Sequence, residues 1–252
     1  MPLPTQLFTQ LKFIMAGMTK IALVTGGSKG IGFGVAQVLI HNGINVTITS
    51  RSPEAAQQAA SQLNRIRPDA AFGMAADVRD LASQQRVVEA VLQRWGRLDY
   101  VVANAGVGHF APIQELTPEQ WQETIDINLT GVFNTAKATV PALKETEGYF
   151  ITIASLAGTN FFEKGAAYNA SKFGLVGFTQ AIMLDLRNEG IKVTTIMPGS
   201  VATYFDNHQP SEKDAWKIQP EDIGQIVLNL IQMPARTLPS KIEVRPTRPG
   251  GR

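Results

Sequence analysis

The chain has 252 residues, 44% of them hydrophobic and 17% charged, with a formal net charge of +2 and no cysteine. That mixture is apolar enough to bury a sizeable core, which excludes a disordered chain, and the missing thiols exclude disulfide frameworks, thiolate metal sites and cysteine nucleophiles. No run approaches the roughly 20 apolar residues of a membrane helix; the cations form no nucleic-acid footprint, and Arg236, Lys241, Arg245, Arg248 and Arg252 against Glu243 read as a solvated basic tail.

Residues 1–17 carry one cation, Lys12, and an apolar run of only Phe13 to Ala16, too short for a signal-peptide core. They read as a poorly ordered extension, with Met18 as an alternative start. From there, β-branched runs of strand length alternate with stretches of helical spacing. Strands are expected at 20–25, 44–50, 70–75, 98–103, 148–153, 192–197 and 242–244, and helices at 31–41, 53–66, 81–95, 118–143, 168–188 and 220–231. Asn42-Gly43 closes the first helix, and Ser52-Pro53 and Thr117-Pro118 open the second and fourth. Uninterrupted alternation means parallel strands joined by right-handed crossovers. Residues 18–252 are therefore expected to form one doubly wound α/β domain, a seven-stranded parallel sheet with helices on both faces, binding its ligand at the carboxyl ends of the strands.

Thr25-Gly26-Gly27-Ser28-Lys29-Gly30-Ile31-Gly32 joins the first strand to the first helix. Glycines there let the backbone approach a pyrophosphate, and the free N–H groups at the helix start favour an anion. The same residues fit a Gly-x-Ser-x-Gly nucleophile elbow, which would make Ser28 a hydrolase serine. Against that, the elbow would fall on the first strand, and the chain's histidines are His41 at a helix end and His109 and His208 in loops.

Further along, Tyr168-Asn169-Ala170-Ser171-Lys172 puts a phenol and an ammonium one helical turn apart, and an ammonium beside a phenol lowers its pKa toward working pH. Ser155 ends the fifth strand, Asn128 sits in an apolar stretch of the preceding long helix, Asn104-Ala105-Gly106 follows the fourth strand and Pro198-Gly199 the sixth. Three sequons, at Asn45, Asn128 and Asn169, fall in a core strand or next to these residues and are chance matches.

The glycine loop with its Gly-x-x-x-Gly-x-Gly spacing, Asp77-Val78, Asn104-Ala105-Gly106, Asn128, Ser155, Tyr168, Lys172 and Pro198-Gly199 through Thr203, in that order, resemble the short-chain dehydrogenase/reductase family from about Thr19 to Pro246. Ala103 departs from it, where the family often has an asparagine. The resemblance implies a Rossmann domain that moves a hydride between a nicotinamide cofactor and a carbonyl or alcohol. It implies that Tyr168 exchanges a proton with the substrate oxygen, Ser155 hydrogen-bonds that oxygen, Lys172 holds the nicotinamide ribose and depresses the Tyr168 pKa, and Asn128 positions a water leading to solvent. Gly26, Ser28, Lys29, Gly30, Ile31 and Gly32 would hold the pyrophosphate, Asp77 and Val78 the adenine, Asn104, Ala105 and Gly106 the cleft wall beside Pro198 and Gly199, and Val201 and Thr203 the carboxamide.

The second strand ends Thr49-Ser50-Arg51, without the acid that NAD-preferring relatives place there, so Ser50, Arg51 and Lys29 are expected to receive a 2′-phosphate and the cofactor to be NADP(H). The expected activity is an NADP-dependent carbonyl reductase, acting on a 3-oxoacyl-like or other apolar ketone or aldehyde. His109, Phe110, Leu156, Phe161, Phe162, Tyr204, Phe205, His208 and Trp216 would set the substrate, under a lid segment short enough to leave the pocket open. A catalytically silent NADP-binding sensor is the alternative, which the intact Asn128, Ser155, Tyr168 and Lys172 set argues against. No metal, nucleic acid or membrane is called for. A homodimer through the helices of Asn128 and Tyr168, where Gly174, Gly177 and Ala181 permit close approach, is expected ahead of a homotetramer, in the cytoplasm.

Overall fold

The computed structural model describes residues 19–248; the extension and the last residues of the basic tail lie outside them. The chain forms one α/β domain around a seven-stranded sheet in the order β3-β2-β1-β4-β5-β6-β7. Its strands are β1 (Ile21–Val24), β2 (Asn45–Ser50), β3 (Ala71–Ala75), β4 (Tyr100–Ala103), β5 (Tyr149–Ile153), β6 (Lys192–Pro198) and β7 (Lys241–Val244). Every pairing is parallel. β1 and β5 are buried at every position, the signature of strands covered on both faces.

The helices are α1 (Gly30–His41), α2 (Pro53–Leu63), α3 (Leu81–Trp95), α4 (Pro118–Ile125), α5 (Gly131–Thr146), α6 (Ala166–Leu186) and α7 (Pro220–Gln232). Several starts are written in side chains. Ser52 accepts from the Ala55 amide with Pro53 behind it, Asp80 accepts from Ala82, and Thr117 with Gln120 forms a reciprocal cap. One apolar core packs α1, α2 and α7 on one face of the sheet, and a second packs α3, α5 and α6 on the other. The order reverses between β1 and β4, which opens a crevice at their carboxyl ends.

Two expectations are corrected here. The long helix expected at 118–143 is divided: a π-helical turn at Asp126–Thr130 separates α4 from α5. The extra residue in that turn breaks the 3.6-residue period, which apolar spacing alone does not reveal. The helix carrying Tyr168 begins at Ala166, so Tyr168 lies inside its first turn and does not open it.

Candidate active site

The glycine loop leaves β1 and enters α1 with Gly26 at φ +62° and Gly30 at φ +57°, where a side chain is strained. A Cβ on Gly26 would lie 2.9 Å from Ala105 Cα, so the loop touches the segment after β4 backbone to backbone. The contact is braced across the switch point. Asn104 Nδ2 donates to the carbonyls of Thr25 (3.0 Å) and Gly26 (3.1 Å), and the Thr25 hydroxyl accepts from the amides of Asn104 (3.0 Å) and Ala105 (3.2 Å).

An open cleft of about 1230 Å³ runs from this loop to the ends of β5 and β6. Every catalytic or cofactor residue named from the sequence lines it except Gly32 and Asn128. Gly32 stands behind the wall, where a Cβ would meet Asn104 Nδ2 and the Gly26 carbonyl at 2.6 Å, so its work is to let α1 close on the loop. Asn128, fully buried in the π turn, clips the loop after β4: its carbonyl accepts from the Val107 amide (2.8 Å), and its NH2 donates to the Val107 carbonyl (2.8 Å) and Ser171 Oγ (3.0 Å).

Ser155, Tyr168 and Lys172 converge on the cleft from β5 and α6. Ser155 Oγ accepts from the Ala157 amide at 3.1 Å and donates to the Pro198 carbonyl at 3.5 Å, and it lines the cleft together with the Tyr168 phenol. Lys172 is 4% exposed, and its Nζ donates to the Ile153 carbonyl at 3.0 Å and lies 5.6 Å from the Tyr168 ring centre. Burial pushes the Tyr168 phenol up to about 12, with the Ser155 hydroxyl opposing, and pulls Lys172 down to about 8. In the protein alone, burial acts against the expected depression of the Tyr168 pKa, because desolvation favours the neutral form of both Tyr168 and Lys172.

Rings close the substrate end. Phe110 and Phe205 lie 5.4 and 5.5 Å from the Tyr168 ring, and Phe162 packs on Phe110 at 5.8 Å. Trp216, expected here, is outside the lining; Lys217 lies over its ring at 5.8 Å. At the other end, Arg51 faces Glu123 at 3.8 Å and Lys29 lies over the Tyr204 ring at 5.6 Å, so the two cations that line the cleft have different partners. Sequence reasoning missed Gln120 and Glu123, which line the cleft with Ile127. Their i, i+3, i+7 spacing was the available signal, hidden because an acid on a capped surface helix reads as solvated.

These residues fit a nicotinamide dinucleotide. Gly30, at positive φ with Thr203 3.4 Å from where its Cβ would stand, keeps the loop open at the start of a helix whose amides favour an anion, and the same cleft is lined by the Tyr168 phenol.

A model of the short chain dehydrogenase family matches residues 20–214. The chain is 38% identical over 189 residues to a trans-4-hydroxycyclohexanecarboxylate dehydrogenase of Sinomonas cyclohexanicum, covering 73% of each chain. An alcohol dehydrogenase from Thermococcus sibiricus, solved with 5-hydroxy-NADP, superposes with a TM-score of 0.85 at 29% identity, covering 92% of this chain and 99% of that one. A 3-ketoacyl-(acyl-carrier-protein) reductase from Brucella melitensis, solved with NADH, superposes with a TM-score of 0.82 at 26% identity, covering 92% and 98%.

Proposed function

The chain belongs to the short-chain dehydrogenase family of oxidoreductases, and from that premise we propose that it is an NADP(H)-dependent reductase of apolar or aromatic carbonyl compounds. One observation carries the proposal: a single cleft joins the glycine cradle to the hydroxyls of Ser155 and Tyr168. When bound, the nicotinamide cofactor supplies the hydride that adds to the carbonyl carbon. Tyr168 gives its phenolic proton to the carbonyl oxygen as negative charge develops there, and Ser155 hydrogen-bonds the same oxygen. The resulting phenolate is stabilised by Lys172 in its ammonium form, and a proton from solvent restores the phenol. Asn128 keeps the loop over this pair in register through Val107.

NADP(H) is favoured over NAD(H) because β2 ends on Ser50 and is followed by Arg51, with no acid at its tip, and the Thermococcus neighbour carries an NADP derivative. The aromatic end, Phe110, Phe162 and Phe205, suits a flat or ring-shaped carbonyl compound, in keeping with the cyclic substrate in the name of the Sinomonas relative. The same reading includes a cytoplasmic homodimer, in which Phe133 of α5 and Phe173 and Leu184 of α6, exposed in one chain, cover one another.

The test follows NADPH and NADH absorbance with a panel of cyclic ketones, aryl aldehydes and 3-oxoacyl compounds. The proposal expects turnover with NADPH on ring-bearing carbonyls. Tight NADPH binding without turnover on any carbonyl would favour the sensor.

A further inference from the structure

We propose that Glu123 limits how strongly the cleft prefers a cofactor bearing a 2′-phosphate, by competing with that phosphate for Arg51; the inference rests on the NADP(H) reading above. Glu123 lies on α4, and its two carboxylate oxygens have different partners. Oε1 is 3.8 Å from Arg51 NH1, and Oε2 is 2.8 Å from His109 Nε2. The shorter contact anchors the carboxylate to the loop after β4, so it does not follow Arg51 when Arg51 turns to another anion. Asp77, whose carboxylate also feels the field of Arg51, is already forked by Arg79, with a closest contact of 2.6 Å.

A phosphate arriving at Arg51 therefore meets two costs that a ribose hydroxyl does not. It must replace Glu123 as the partner of Arg51, and it must sit near a carboxylate held in place by His109. The effect is bounded by geometry. The side chains of Arg51 and Glu123 are 60% and 36% exposed, and an ion pair so exposed moves an equilibrium by at most about fivefold.

The experiment measures dissociation constants for NADPH and NADH on the full chain, by nucleotide fluorescence at low and high salt, for wild type, Glu123→Gln, Arg51→Ala and the double variant. Glutamine keeps an acceptor for His109 and removes the charge. Glu123→Gln should tighten NADPH about three- to fivefold and leave NADH within twofold. The gain should fade at high salt and shrink in the Arg51→Ala background. Unchanged NADPH affinity, equal tightening of both cofactors, or a gain undiminished without Arg51 would overturn the assignment. A wild type with no preference for NADPH would instead remove the cofactor reading beneath it.

Discussion

Lys172 Nζ donates to the carbonyl of Ile153 at 3.0 Å, tying the ammonium of α6 to the end of the strand that delivers Ser155. This bond, made in a nearly dry site, is what the buried lysine has in place of water. Its pKa is pulled down from 10.5 to about 8 by desolvation alone.

That shift has a sign for stability. Between pH 8 and 10.5 the unfolded chain holds a proton that the folded chain has released, so the Lys172 contribution makes the protein more stable as pH rises, by roughly 3 kcal/mol across the window. Below the folded value the burial penalty is present in full. Lys172→Met should flatten the slope, as read from urea midpoints of both proteins below pH 8 and near pH 10. Above pH 10 the raised Tyr168 phenol acts oppositely, since the folded chain keeps its proton up to about 12 and stability then falls with pH.

Asn128 is fully buried and satisfies both backbone groups of Val107. Asn128→Ala leaves the Val107 amide and carbonyl without these partners, while Ser171 keeps its bond to the Tyr168 carbonyl. The expected loss is about 2–3 kcal/mol, or a fall in Tm of roughly 5–10 °C for a chain of this size, measured by thermal unfolding. A Tm unchanged from wild type would mean that the clip contributes nothing.

The glycine behind the cradle offers a separate check. In Gly32→Ala the new methyl would stand 2.6 Å from Asn104 Nδ2 and the Gly26 carbonyl, so α1 must move away from the loop it supports. NADPH binding should weaken by at least about tenfold, or 1.4 kcal/mol, with the far-UV circular dichroism of the fold retained. Titration of intrinsic fluorescence with NADPH reads the difference.

Much of this architecture was legible in the residues. Runs such as Ile21–Val24 and Tyr149–Ile153 are mostly apolar because parallel strands are buried on both faces, whereas the strand order is set by contacts between segments distant in the chain. Ser155 and Arg51, expected at strand ends, lie just beyond β5 and β2 and line the cleft. Asn128 was placed on a helix but not in its π turn, because one added residue leaves no compositional trace. The upward push of burial on the Tyr168 phenol was not legible, because a pairwise view weighs the Lys172 ammonium and omits desolvation, which no local motif encodes. Glu123 was missed for a related reason: its partners, Arg51 and His109, come from two other segments of the chain.

The central claim is that the Tyr168 hydroxyl is the proton donor to a carbonyl oxygen at the end of the cofactor cleft. Tyr168→Phe keeps the ring contacts with Phe110 and Phe205 and removes only the hydroxyl with its transferable proton. The most direct measurement is kcat for a carbonyl substrate in wild type and Tyr168→Phe, alongside the Kd for NADPH of each. The account predicts a fall in kcat of at least about 10²-fold with NADPH binding within a few-fold of wild type. Near-normal kcat in the variant would contradict it.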